Sequence, residues 1–401
     1  GPWQERSFEP SLHDSSLFFD DDGRVYMLWG GGDLRLTELS PDLSGIRAGG
    51  IDTVVIENAS APAGDDIGLP AEGSHLLKVD GRYYLMNITW PRGGMRTQVV
   101  HRADAITGPY EGRVVLADRG IAQGGLIDTP DGEWYAFLFR DHGAVGRIPF
   151  LVPVAWEDGW PVLGEDGVVP DTLDIPANGH GVSGVSGIVT SDEFEREPGD
   201  PTLPLAWQWN HNPDDRYWSL EEAPGRLRLT TGRVDADVEA ARNTLTQRTF
   251  GPVSAASTAV DVAGMKDGDY AGLVALAEWY GFVGVKMEDG QKSVVMVRVR
   301  EDGPAEVEAT PITAERVHLK IDADFRSTGE VRGWVDTAYF SYSLDGESWT
   351  RIGEPLPMRY TLDHFMGYRF GLFNFATREP GGYVDFDYYR IREEADLPET
   401  E

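Results

Sequence analysis

Leu17-Phe18-Phe19-Asp20-Asp21-Asp22-Gly23-Arg24-Val25-Tyr26-Met27-Leu28 decides how the chain is read, because its pattern returns twice. An apolar run, a turn closing on Asp-Gly and an aromatic-rich run recur in Leu76-Leu77-Lys78-Val79-Asp80-Gly81-Arg82-Tyr83-Tyr84-Leu85. They recur again in Leu126-Ile127-Asp128-Thr129-Pro130-Asp131-Gly132-Glu133-Trp134-Tyr135-Ala136-Phe137. Asp-Gly between two such runs predicts a β-hairpin, since glycine takes the positive φ that tight hairpin turns require. With Gly23, Gly81 and Gly132 as marks, the repeats are spaced by 58 and 51 residues. A period of that size with several strands per unit predicts blades of a β-propeller.

The same register predicts a site. Nine residues before each turn glycine stand Asp14, Glu72 and Gln123. Equivalent positions of successive blades point the same way, so the three polar groups should converge on the propeller axis. Asp141-His142-Gly143-Ala144-Val145-Gly146-Arg147 and the run Ile148–Trp156 read as a further blade without that mark. Counting back nine from Gly159 gives Phe150, which leaves His142 and Arg147 as the inward groups there.

Composition narrows the function. The 401 residues carry 67 acidic and 35 basic side chains, a formal charge of −32. Phosphate backbones are held by clustered Lys and Arg, so nucleic acid is excluded as a partner, and an anionic membrane surface is disfavoured. The 41% hydrophobic content suffices for a core, and 48 Gly and 25 Pro favour many short strands joined by tight turns. With no Cys there is neither disulfide nor thiolate chemistry. No apolar run approaches the roughly 18 residues of a membrane span, and residues 1–6 do not read as a secretory signal, so localisation stays open. The eight His show no HExxH spacing, and no GxxxxGK[ST] is present, which argues against zinc catalysis and nucleotide binding. Beyond about residue 185 the chain changes to alternating runs such as Arg226–Thr231 and Ser293–Val299. Alternation predicts strands with one wet face, hence an antiparallel β-sandwich. The expected domains are 1–187 and 188–401.

Five motifs then carry a resemblance: His13-Asp14-Ser15-Ser16-Leu17, Ala71-Glu72-Gly73-Ser74-His75, Ala122-Gln123-Gly124-Gly125, Gly143-Ala144-Val145-Gly146-Arg147 and Trp207-Gln208-Trp209-Asn210-His211-Asn212-Pro213. In this order the chain resembles glycoside hydrolase family 43, in its branch of two-domain β-xylosidases and α-L-arabinofuranosidases. The resemblance implies a five-bladed β-propeller followed by a β-sandwich, and an inverting, exo-acting α-L-arabinofuranosidase on arabinoxylan oligosaccharides. β-D-Xylosidase, or both activities together, stays open, as does a non-catalytic carbohydrate-binding protein.

Glycosidic cleavage needs a protonated acid for the leaving oxygen and, with inversion, a second carboxylate to activate water. The resemblance makes Glu72 the acid and Asp14 the carboxylate that orients it and raises its pKa. The family's base is an Asp on the first blade. At 50 to 58 residues per blade, the residues ahead of the sandwich are too few for five blades. The first blade is therefore expected on a separate or missing N-terminal segment, leaving blades two to five here. Asp20, Asp21, Asp22 and Asp33 are substitutes for the base, read as solvated turn residues.

Arg147 and His142 are expected to bind sugar hydroxyls, and Trp90 and Trp29 to stack on the sugar. Gln123 stands where relatives carry a His associated with a central ion, which argues against an ion there. No cofactor is required for catalysis. A structural Ca²⁺ in the sandwich would use Asp192 and Asp387, and Trp279-Tyr280-Gly281-Phe282 is expected as an aromatic loop at the rim.

Overall fold

The computed structural model describes residues 12–175, 188–326, 336–361 and 366–398. Contacts divide the chain into two units, Gly1–Asp141 with Ile148–Pro176, and His142–Arg147 with Ala177–Glu401. The expected boundary at 187/188 adjoins residues 176–187, which lie outside the described residues, as do residues 1–6.

Three four-stranded antiparallel sheets make up the first unit, each in simple meander order. The first holds β1 (Ser16–Phe19), β2 (Val25–Trp29), β3 (Leu34–Glu38) and β4 (Asp52–Ile56). The second holds β5 (Ile67–Val79), β6 (Arg82–Pro91), β7 (Thr97–Ala103) and β8 (Glu111–Leu116). The third holds β9 (Ala122–Asp128), β10 (Trp134–His142), β11 (Gly146–Glu157) and β12 (Trp160–Leu163). These are propeller blades, and each Asp-Gly repeat is the hairpin joining a blade's first two strands. Val79 pairs with Arg82, leaving Asp80 and Gly81, at φ 49° and 79°, as a two-residue turn with both residues left-handed.

One sequence reading is corrected. The run Ile148–Trp156 lies in β11, in the same sheet as β9 and β10, so it opens no fourth blade. Asp158-Gly159 is the two-residue turn between the third and fourth strands, with Glu157 paired to Trp160. Asp-Gly marks any tight hairpin without saying which hairpin of a blade it closes, and that is why the nine-residue count broke there.

Neighbouring blades are joined by packing and by two polar clamps. Phe18, Tyr26, Leu28 and Leu36 of the first sheet bury their side chains against Ala71, Leu76, Tyr83 and Leu85 of the second. Asp20, only 8% exposed, accepts from Lys78 Nζ at 2.8 Å and from Tyr83 Oη at 2.7 Å. It is thus a buried inter-blade anchor rather than a solvated turn residue. Between the second and third sheets, Arg102 Nη1 donates to the carbonyls of Asp158 and Gly159 at 2.7 and 2.9 Å. Its guanidinium also lies 4.2 Å from the Trp160 ring centre.

The second unit is a sandwich of two antiparallel sheets. Its strands in chain order are β13 (Gln208–Trp209), β14 (Trp218–Ser219), β15 (Leu227–Thr230), β16 (Leu245–Arg248), β17 (Val253–Asp261), β18 (Asp269–Leu276) and β19 (Tyr280–Glu288). There follow β20 (Gln291–Arg300), β21 (Gly303–Ile312), β22 (Arg316–Asp324), β23 (Asp336–Ser343), β24 (Thr350–Arg351), β25 (Leu356–Met358), β26 (Arg369–Ala376) and β27 (Tyr383–Arg392). One sheet runs β13-β16-β26-β18-β19-β20-β21 and the other β14-β15-β27-β17-β22-β23-β24, with β25 on β23. Alternate residues such as Leu227 and Leu229, Leu319 and Ile321, and Phe370 and Leu372 fill the core between them. Among the described residues, no helix is long and apolar enough to cross a membrane.

Two contacts hold the Asp20 carboxylate ionised. Burial works to raise its pKa, but the hydrogen bonds from Lys78 and Tyr83 outweigh burial and hold it below the usual aspartate value. A depressed carboxylate stabilises the fold above its unfolded pKa, and that contribution is lost as pH falls through the folded value. Asp20→Ala should destabilise the chain at pH 7, since it removes the buried acceptor that Lys78 and Tyr83 share. In urea titrations the gap from the parent chain should narrow towards pH 3; a gap independent of pH would contradict the clamp.

Candidate active site

The register that aligned the repeats brings their polar marks together. Asp14 stands two residues before β1, Glu72 lies within β5 and Gln123 is the second residue of β9. The Gly73 N–H donates to Asp14 Oδ2 at 3.0 Å. His13 Nε2 stands 3.9 Å from Asp14 Oδ2 and 3.7 Å from Glu72 Oε2. One ligand atom from each of His13, Asp14 and Glu72 lies within 4.8 Å of the others. Gln123 closes the third side: a Cβ built on Gly73 would sit 2.3 Å from Gln123 Nε2, and Gly73 itself has φ +60°. Only glycine fits there.

The backbone is strained where these groups meet. Asp14 and Gln123 have φ of 47° and 70°, a left-handed conformation that is uncommon outside glycine and concentrates at functional sites. The sharp bend before β1 and the bulged pairing around Glu72 in β5 set the two carboxylates face to face.

Glu72 titrates high. Burial is the main cause, the Asp14 charge adds to it, and His13 and Arg96 oppose it without cancelling it. Its side chain is 27% exposed, enough for a substrate to reach it.

Sequence reasoning missed Arg96, which is 6% exposed. Its Nη2 donates to Gln123 Oε1 at 2.8 Å and its Nη1 to Asp141 Oδ2 at 3.1 Å, while the guanidinium lies 4.5 Å from the Phe139 ring centre. Gln98, fully buried, accepts the Gln123 N–H at 2.8 Å through Oε1. Gln123 is therefore held from both ends, by Gln98 in β7 and by Arg96 just before that strand. The available signal was a charged and a polar residue, Arg96 and Gln98, leading into the apolar strand Val99-Val100; nothing in it says which way they point. His13 was visible in a motif, and only its distance to Glu72 gives it a part.

The other expected site residues have partners of their own. Trp29 lies on the outer face of the first sheet, with Nε1 donating to Thr37 Oγ1 at 2.9 Å and its ring packed near Val25, Met27 and Leu39. Trp90, half-buried, donates from Nε1 to the Gly94 carbonyl at 3.1 Å across its own turn. His142 and Arg147 group with the second unit, where Arg147 Nε donates to Tyr360 Oη at 3.1 Å. Asp21 and Asp22 pair with Lys78 and Arg24 at 2.9 and 2.6 Å, and Asp33 accepts the Asn58 N–H at 2.8 Å.

The expected calcium pair does not fit the ion. Asp192 accepts from Arg196 at 2.9 and 2.7 Å, Trp207 Nε1 at 3.0 Å and the Phe194 N–H at 2.8 Å, while Asp387 is bound by the Arg316 guanidinium. Carboxylates already neutralised by guanidinium offer little to a cation that takes six to eight oxygens. Tyr280 and Phe282, at 2% and 3% exposure, are buried in a cluster with Val238, Ala241 and Phe373, whereas Val283 and Val285 of the same strand belong to the core between the sheets. Trp279 lies under Arg359, 3.4 Å from its ring centre.

Residues 1–161 match the model of glycosyl hydrolases family 43, and residues 191–392 match that of the β-xylosidase C-terminal concanavalin A-like domain. A β-xylosidase of Formosa agariphila is 30% identical over 80% of this chain and 59% of its own length. The non-reducing end α-L-arabinofuranosidase BoGH43B of Bacteroides ovatus is 29% identical over 69% of this chain and 54% of its own. The solved structure of a bifunctional GH43-CE protein of Bacteroides eggerthii superposes with a TM-score of 0.88 at 58% identity, covering 99% of this chain and 50% of that one. With acidic side chains meeting where blades converge, the fold is that of a propeller glycosidase. The chain belongs to glycosyl hydrolase family 43, and it spans 50–59% of the length of these relatives.

The opposing charges around Glu72 can be separated by titration. Removing the Asp14 charge with Asp14→Asn should lower the Glu72 pKa, and removing the nearby cation with Arg96→Met should raise it. Carboxyl ¹³C NMR of the two variants reads both shifts, and shifts of the same sign would contradict the geometry.

Proposed function

We propose that the protein is an inverting, exo-acting α-L-arabinofuranosidase on arabinoxylan-type oligosaccharides, with Glu72 as general acid and Asp14 as the group that tunes it. The observation that carries this reading is a half-buried carboxyl whose pKa is raised by burial and by a second carboxylate beside it. Such a group holds its proton to higher pH than an ordinary glutamate and can give it to a leaving oxygen. Glu72 donates to the glycosidic oxygen as the bond to the anomeric carbon breaks. Water adds to that carbon from the opposite face, and its proton passes to a base roughly 6.5 to 9.5 Å from the acid.

We place that base on a segment other than those described. Asp20, Asp21, Asp22 and Asp33 are each committed to other partners. Both terminal blades expose apolar side chains on the face turned away from the middle blade: Leu17 and Phe19 at 51% and 62%, Ile127 and Phe137 at 56% and 57%. Faces of that kind suit further blades, one of which would carry the base.

A β-D-xylosidase is the second reading. It is favoured by the name of the matched C-terminal model and by the F. agariphila relative. Comparing turnover of 4-nitrophenyl α-L-arabinofuranoside and β-D-xylopyranoside, with and without an N-terminal segment, separates the readings. A preference for the xyloside would overturn the first.

Glu72→Gln should lower kcat by roughly 10²- to 10⁴-fold on oligosaccharides. The loss should be smaller on 4-nitrophenyl glycosides, whose leaving group needs little protonation. An equal loss on both would remove Glu72 from the acid role. Rates on oligosaccharides should fall as pH rises through the raised Glu72 pKa. In Asp14→Asn that alkaline limb should move to lower pH, because the charge that helped hold the proton is gone; a profile that does not move would show that Asp14 does not tune the acid.

A further inference from the structure

The sandwich unit contains a polar cavity of about 210 Å³ between the end of β15, the segment 231–243 and the last residues of β26. We propose that it is a second carbohydrate site, one that takes a single neutral sugar unit. Its size comes first. It lies below the roughly 300 Å³ of a site for a drug-sized ligand. That is the scale of one pentose or hexose ring.

The charges of the walls select among ligands. Asp214 accepts from Arg216 Nε and Nη2 at 2.9 and 2.7 Å, and Asp235 pairs with Arg233 Nε at 2.7 Å. Arg242 adds a guanidinium whose Nη1 is 3.9 Å from Asp214. Three guanidinium groups argue against a metal cation, and two carboxylates argue against an anion. What remains is a row of donors and acceptors in nearly balanced charge, which suits a polyhydroxyl compound, because each hydroxyl both gives and takes a hydrogen bond.

The walls are also fixed in advance. Asn243 accepts the Asp214 N–H at 2.9 Å and donates to the Asp214 carbonyl at 3.1 Å, locking that carboxylate's backbone. Arg242 Nε is held by the Asn212 carbonyl at 2.8 Å. Tyr217 lies against Gly232 so closely that a Cβ there would be 2.5 Å from its Cδ2. An aromatic ring beside paired carboxylates and guanidiniums, already in place, keeps the ordering cost of binding low. Family membership guides the choice of sugar as ligand. The choice of L-arabinose, D-xylose and xylotriose as probes rests on the proposed substrate.

The test uses the full chain carrying Glu72→Gln, so that nothing is hydrolysed, titrated with L-arabinose, D-xylose and xylotriose by saturation-transfer NMR. Adding Tyr217→Ala or Arg242→Ala should weaken at least one of these sugars tenfold or more while the melting temperature holds. Arg242 is 47% exposed, so its variant carries the test if Tyr217→Ala fails to fold. Crystals soaked in the same sugars should show one beside Tyr217. Unchanged binding in a folded Arg242→Ala chain, or a cavity without sugar after soaking, would overturn the proposal. The readout involves no turnover, so a failed glycosidase assay would leave this result standing and the reverse would hold too.

Discussion

The Gly73 N–H that reaches the Asp14 carboxylate at 3.0 Å ties the first strand of one blade to the first strand of the next at the point where two acidic side chains meet. Like charges placed together in partial burial resist double ionisation, so one of the pair keeps its proton more readily. Glu72 is that member, being the one with the raised pKa. Without the backbone bond, the repulsion between the two groups would tend to separate them, and the chemistry proposed for Glu72 would go with it.

The surrounding framework holds this arrangement against its own cost. Two residues in left-handed backbone, Asp14 and Gln123, carry strain of order 1–3 kcal/mol each. They are held by neighbours outside their own strands. Gln98 and Arg96 grip Gln123, Asp141 neutralises Arg96, and Asp20 fastens the first blade to Lys78 and Tyr83 of the second. Arg96 also tempers the site. Its buried positive charge keeps Glu72 from rising as far as burial and Asp14 alone would drive it.

The sandwich solves a different problem with the same residue types. Its Asp and Arg side chains are largely paired with each other, as in Asp192 with Arg196 and Asp385 with Arg228. That pairing leaves the two acidic residues expected to bind calcium already engaged. It also accounts for the mixed character of the cavity near Tyr217, where neither sign of charge prevails.

Local pattern was enough for much of this. Asp-Gly turns need left-handed φ and flank strands whatever the tertiary context, so the three hairpins, their spacing and the alignment of Asp14, Glu72 and Gln123 could be read residue by residue. The alternating runs of the second unit disclosed its strands in the same way. Tertiary structure alone decided which hairpin of a blade Asp158-Gly159 closes, that Asp20 is buried, that Arg96 and His13 stand at the site, and that Trp29 lies on an outer face of its sheet. The physical reason is one of range. Turn geometry and side-chain alternation are set within a few residues along the chain, whereas burial, charge pairing and pKa depend on groups brought in from strands tens of residues away.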